Sequence, residues 1–214
     1  MKRIAYLVIA LSLVAVSASA QDESQEEKGF KKENLFTGGS VTVSFFNGQT
    51  ILGANPMFGY KLADWVDAGI VFNYVYSSTK DYIQYDDKLR QSVYGPGVFT
   101  RLYPISFLFV QAQYEQNFST VKYILAPGST SYTASKNNEN AGSLLLGGGF
   151  ASGRQPGSTS FFYISLLFDV LKNENSPYVD VSYNPSNPSA KPRVDMVPIV
   201  RAGVNIGLFQ GRYR

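Results

Sequence analysis

From Leu35 onward apolar and polar residues alternate with a period of two, and no stretch keeps a helical period for long. Gly recurs inside the apolar runs, and Tyr and Phe are abundant, at 15 each over the whole chain. This pattern predicts an all-β protein. Strands are expected at roughly 35–47, 50–62, 65–78, 91–103, 105–118, 141–153, 159–172 and 195–209. About eight strands, an even number, suit a transmembrane antiparallel up-and-down β-barrel. Several exceed the roughly 9–11 residues that a tilted strand needs to cross hydrocarbon. These would project past the lipid.

The connections alternate in length. Asn47-Gly48-Gln49 is a hairpin turn signal, and Ala63-Asp64-Trp65, Tyr103-Pro104 and Arg154 to Ser158 are short as well. Residues 79–90, 119–140 and 173–194 read as long polar loops. Short periplasmic turns opposite long extracellular loops are the habit of outer-membrane barrels.

Alternation sorts each strand into two faces. Val66, Ala68, Ile70, Phe72, Tyr74 and Tyr76 share one face of the third strand, with Asp67, Gly69 and Asn73 on the other. In the fifth, Leu108, Val110, Ala112, Tyr114 and Phe118 oppose Gln111, Gln113, Glu115 and Asn117. In the last, Val200, Ala202, Val204 and Ile206 oppose Arg201, Gly203 and Asn205. Period alone cannot say which face is inside. The glycines decide: Gly53, Gly59, Gly69, Gly95, Gly97, Gly147, Gly149, Gly203 and Gly207 keep the polar parity. On a solvent face they would only weaken the strands, whereas inside a narrow barrel they would make room for long polar side chains. The expected barrel is therefore polar inside and apolar outside. Tyr60, Trp65 and Tyr103 near the short turns, with Tyr76, Tyr94 and Phe118 at the opposite ends, would form two interfacial aromatic girdles.

The first twenty residues differ from the rest. Lys2 and Arg3 precede an apolar run from Ile4 to Val16, and Ala18-Ser19-Ala20 forms an A-x-A site. This is the three-part pattern of a secretory signal peptide, and the run is shorter than the roughly 20 residues of a spanning helix. Residues 1–20 are read as the signal, 21–34 as a polar leader and 35–214 as the barrel. The expected destination is the outer membrane of a Gram-negative bacterium, with outer-membrane lipid as the surroundings. Setting aside Lys2 and Arg3 leaves 17 basic against 16 acidic residues in the 214-residue chain. That near-neutral balance carries no nucleic-acid footprint.

Two stretches carry a family resemblance. Pro56-Met57-Phe58-Gly59-Tyr60-Lys61-Leu62-Ala63-Asp64-Trp65 with Asp67-Ala68-Gly69 is one; Phe99 to Pro104 followed by Phe109 to Glu115 is the other. Both resemble outer-membrane β-barrel proteins of the Bacteroidota type. The resemblance implies an eight-stranded barrel similar to the membrane domain of the OmpA class, and implies little about activity. Such barrels end on an aromatic that the barrel-insertion machinery reads. Phe209 or Tyr213 would serve here, although Gln210 to Arg214 run past the last strand.

The chain has no His and no Cys. Outer-membrane barrels that act as enzymes use a His as base or nucleophile activator, so a non-enzymatic barrel is expected, with no catalytic residue, cofactor or metal site. Asp86-Asp87 is read as a pair of solvated loop carboxylates pointing apart. Lys61, Asp67, Arg101, Glu115, Asp169 and Arg201 fall on the inner parity, as do Asn73, Gln111, Gln113 and Asn205. Charges in a narrow interior must pair or stay wet. Lys61, Asp67 and Arg101 are expected to form a lower layer, and Arg201 to pair with Asp169, Glu115 or both above it, closing the lumen. The expected role is envelope structure or surface interaction through the loops, with surface ligand and protein partner open. A narrow diffusion channel and a soluble periplasmic ligand-binding barrel of the lipocalin type are the alternatives.

Overall fold

Alternating residues pair into an antiparallel sheet that closes on itself. The computed structural model describes residues 29–46, 49–129, 133–155, 158–182 and 191–210. The signal sequence, most of the leader, Asn47-Gly48, Pro156-Gly157, residues 183–190 and Tyr213 lie outside the described residues. The strands are β1 (Leu35–Phe46), β2 (Gln49–Ala63), β3 (Val66–Lys80), β4 (Lys88–Ile105), β5 (Leu108–Ile124), β6 (Ser135–Ser152), β7 (Phe161–Asp169), β8 (Val179–Ser182), β9 (Arg193–Met196) and β10 (Ile199–Gly207). Eight of them close a barrel in the order β1-β10-β7-β6-β5-β4-β3-β2, and β8 with β9 forms a separate two-stranded sheet.

The upper ends of β4, β5 and β6 are longer than the alternation indicates. Lys88 pairs with Ile124, and Tyr123 with Ser135. Residues 133–140 are exposed, so neither face of β6 needs an apolar side chain there and the alternation fades while backbone pairing continues. The expected loop 173–194 is likewise interrupted by the β8–β9 hairpin. The folded unit also starts earlier than Leu35, at Lys31. The Lys31 backbone N–H donates to the Tyr60 hydroxyl at 3.0 Å, and the Asn34 amide donates to the Lys61 carbonyl at 3.0 Å. The last residues of the leader are thereby tied to β2.

The barrel wall is apolar on its outer side. Ile70, Phe72 and Tyr74 of β3 are exposed, as are Val98 of β4, Val110 and Tyr114 of β5, Ile164 and Leu166 of β7, and Val200 and Ile206 of β10. Their neighbours Val71, Asn73, Phe99, Gln111, Glu115, Ser165, Arg201 and Asn205 are buried inside. Trp65 is exposed beside a short turn, and Tyr94 stacks on Phe118 with ring centroids 5.6 Å apart on the outer side. Tyr60 and Tyr76 are half-buried. Tyr103 departs from the girdle expectation: it points inward, is only 4% exposed, and packs against Phe109 and Phe161.

Tyr103 belongs to an aromatic core that fills the end of the lumen near the short turns, with Phe36, Phe99, Phe109, Phe161 and Tyr163. Four inner glycines receive these rings. Gly59 pairs with Phe36, Gly69 with Phe99, Gly149 with Phe109 and Gly203 with Tyr163. A Cβ at Gly59, Gly149 or Gly203 would stand within 3.0 Å of the facing ring. The rings occupy the space that a side chain on the facing glycine would need, a pairing that shields Gly in a strand. The glycine space thus goes to aromatic rings at this end. Gly95 and Gly97 lean instead on polar side chains, Asn117 and Glu115, and Gly207 leans on Gln210 and Thr159.

Candidate functional site

One inner face of β5 builds the polar centre of the lumen. Gln111, Gln113, Glu115 and Asn117 are two residues apart, so all four project to the same side. The Gln111 amide donates to Gln113 Oε1 at 2.7 Å, and the Gln113 amide to Glu115 Oε1 at 2.5 Å. Asn117 Nδ2 donates to the Ser143 hydroxyl at 3.2 Å and accepts at Oδ1 from Asn73 at 3.2 Å. This spine joins two guanidiniums at different heights.

The lower one is Arg101. Its Nε donates to Gln111 Oε1 at 2.8 Å and its Nη1 to Asn205 Oδ1 at 3.2 Å. It lies 4.1 Å from the Tyr163 ring centroid, 5.1 Å from that of Phe109 and 5.3 Å from that of Phe99. Rings and amides take the place of a carboxylate, since a cation in a dry interior is stabilised by aromatic faces. The upper one is Arg201, whose Nη2 lies 3.1 Å from Glu115 Oε1, the expected pairing. Asp169 does not share it. Its carboxylate accepts from the Leu144 and Leu171 backbone N–H groups, each at 3.1 Å, and from the Ser176 hydroxyl at 2.6 Å. Asp169 lies at the end of β7, where a backbone N–H of β6, one of the following turn and the Ser176 hydroxyl satisfy its carboxylate.

The lower layer also differs from the expectation. Lys61 stands opposite Asp67 in register, but its ammonium pairs with Asp64 in the turn at 2.5 Å. Neither Asp67 nor Arg101 makes an ion pair among the described residues, although the two are cross-strand partners. At the mouth below them, Arg154 sits 3.7 Å from the Tyr103 ring centroid and donates to the Asp64 carbonyl at 2.7 Å.

The residue that completes the centre comes from outside the barrel strands. Tyr178, just before β8, is 8% exposed and reaches into the lumen. Its hydroxyl donates to Glu115 Oε2 at 2.6 Å and accepts from Asn73 Nδ2 at 2.7 Å and Arg201 Nη2 at 3.3 Å. Leu145 and Leu167 pack on its ring, and the Ser176 hydroxyl bonds that of Ser143 at 2.9 Å. Glu115 therefore receives Gln113, Arg201, Tyr178 and, at 3.5 Å, Asn117. Sequence reading assigned Ser176 and Tyr178 to an exposed loop. The one available signal is an aromatic followed by alternating Val179 and Val181 in an otherwise polar stretch. A chamber bordered by Ser40, Asn55, Gln113 and Arg201 has room for about one water.

Asp87 corrects another expectation, because its side chain is buried rather than solvated. Its carboxylate accepts from the Tyr82, Ile83 and Gln84 backbone N–H groups at 2.6, 2.9 and 2.8 Å, and from the Tyr123 hydroxyl at 2.7 Å. Burial disfavours the ion, but the Tyr123 and backbone donors outweigh it and hold the carboxyl below its ordinary range. A depressed folded pKa means that the loop 81–87 is fully supported above the unfolded aspartate value of about 3.9 and loses that support as pH falls through the folded value. An NMR titration of the Tyr82, Ile83 and Gln84 amides should thus show a midpoint below about 3.9. A midpoint at or above it would contradict the cap.

Among the described residues no group of three or more His, Cys, Asp or Glu side chains could hold a metal ion. No helix of the described chain is long and apolar enough to cross a membrane, which leaves strand-crossing untouched. Neither a family model nor a curated protein matches the chain.

Proposed function

We propose that the chain is a non-enzymatic outer-membrane β-barrel of a Gram-negative bacterium, of the Bacteroidota type, exported by its signal peptide and seated by the barrel-insertion machinery. Its filled interior makes it a structural or surface-interaction protein rather than a conduit. The observation that carries this reading is the inversion of the barrel. A band of exposed Phe, Ile, Leu, Val and Tyr surrounds a lumen containing a buried Arg201–Glu115 pair. Soluble monomers rarely expose apolar patches beyond a few hundred Å², and a closed barrel leaves no unpaired backbone edge in lipid.

The loops offer the surface for interaction. In loop 81–87 the Asp87 cap holds the backbone, and Tyr85 is 89% exposed. The test of residence is membrane fractionation of the full chain. It should remain in the membrane pellet through washes with alkaline carbonate and with urea. Release into the soluble fraction would contradict the proposal and favour the soluble ligand-binding barrel.

A further inference from the structure

The outer wall carries a cavity of about 630 Å³ that the filled lumen does not account for. It lies between two cross-strand rows of side chains. One row is Phe58, Ile70, Val98 and Tyr114, adjacent in register across β2, β3, β4 and β5. The other is Pro56, Phe72 and Pro96, with Phe72 directly opposite Pro96.

The prolines are the cause of the hollow. A proline ring folds back onto its own nitrogen, so it stands lower than the Phe, Ile or Val elsewhere on the wall. It also brings no N–H to the ladder. Pairing skips from Ala54 to Met57 between β2 and β3, and from Tyr94 to Gly97 between β4 and β5. Proline inside a sheet is confined to edges and irregularities, yet two stand at one level on either side of β3.

The lining specifies the guest. It contains no charged side chain, and its one hydroxyl, that of Tyr114, is engaged with Gln116 Oε1 at 3.2 Å. A peptide, sugar or headgroup would find no charge there and one acceptor, the oxygen of that hydroxyl. The hollow is continuous with the exposed apolar band and lies one row from the stacked Tyr94–Phe118 pair. We infer that it holds one acyl chain of a membrane lipid, from the leaflet on the Tyr94–Phe118 side. This inference rests on the outer-membrane reading.

The test uses the full chain with its single tryptophan removed (Trp65→Phe) and one new tryptophan placed either in the hollow (Phe72→Trp) or on the opposite wall (Phe162→Trp). Each protein is reconstituted into phosphatidylcholine vesicles with brominated acyl chains, then extracted into unbrominated detergent. Both tryptophans should be quenched in the vesicles. After extraction Phe162→Trp should recover while Phe72→Trp stays quenched, and native mass spectrometry should find one lipid per chain. Pro96→Leu, which raises the floor, should release that lipid. Recovery of both tryptophans together would overturn the resident chain but leave the bilayer reading standing, as would a mass of two chains with no lipid. Absence of quenching at both positions in vesicles would overturn both.

Discussion

Glu115→Ala is expected to be the most damaging single substitution in the lumen, with a loss of about 3–5 kcal/mol of folding stability in detergent. The carboxylate is fully buried and is the meeting point of Gln113, Asn117, Tyr178 and Arg201. Its removal leaves the Arg201 guanidinium, among the described residues, with the Tyr178 hydroxyl at 3.3 Å and the Tyr178 ring centroid at 5.9 Å. Water in the vacated space would lower the figure. Replacing both partners by apolar side chains of similar length, Glu115→Leu with Arg201→Met, should recover much of the loss, because a buried pair costs nearly as much to desolvate as it returns. Urea unfolding in micelles checks both variants. A loss below about 1 kcal/mol, the scale of a solvated ion pair, would show that the centre is wet rather than packed.

Ile164→Arg separates lipid from water by the sign of its effect. Ile164 is 51% exposed on the outer wall of β7, between Phe162 at 69% and Leu166 at 44%. In a bilayer an Arg near the midplane should destabilise the barrel by about 2–4 kcal/mol, falling toward zero near the interfaces. In water the same change would remove an exposed apolar group and leave stability within about 0.5 kcal/mol, as surface substitutions usually do. Reversible unfolding of reconstituted protein in vesicles measures it. An unchanged or stabilised Ile164→Arg would place this wall in water.

Much of the barrel was legible because its wall separates two environments. Ile70, Phe72 and Tyr74 alternate with Val71 and Asn73 where one side of β3 is exposed and the other packed. Where that contrast ends, so does the signal: Lys136, Asn137 and Asn138 are exposed, and only backbone pairing to β5 makes them strand. The inner charges were placed on the right side and Arg201 was matched to Glu115, but the partners of Lys61 and Asp169 were not. Lys61 finds Asp64 and Asp169 finds Ser176 because a nearby connection supplies the partner, an acceptor for the first and a donor for the second, more directly than a distant strand. Tyr178 escaped because it arrives from a connection, and period-two reasoning describes only residues within a strand. Tyr103 escaped because position near a turn does not distinguish an aromatic that faces lipid from one that caps the lumen.

The central claim is that this wall crosses a membrane, and cysteine labelling at its two ends tests it most directly. Since the native chain has no Cys, Tyr85→Cys in the loop before β4 and Ser106→Cys in the turn after it each supply a single thiol at an exposed position. With intact Gram-negative cells and a membrane-impermeant maleimide, Tyr85→Cys should label at once and Ser106→Cys only after the cells are opened. Equal labelling at the two positions before opening, or at Ser106→Cys alone, would contradict a barrel that spans the outer membrane with its long loops outside.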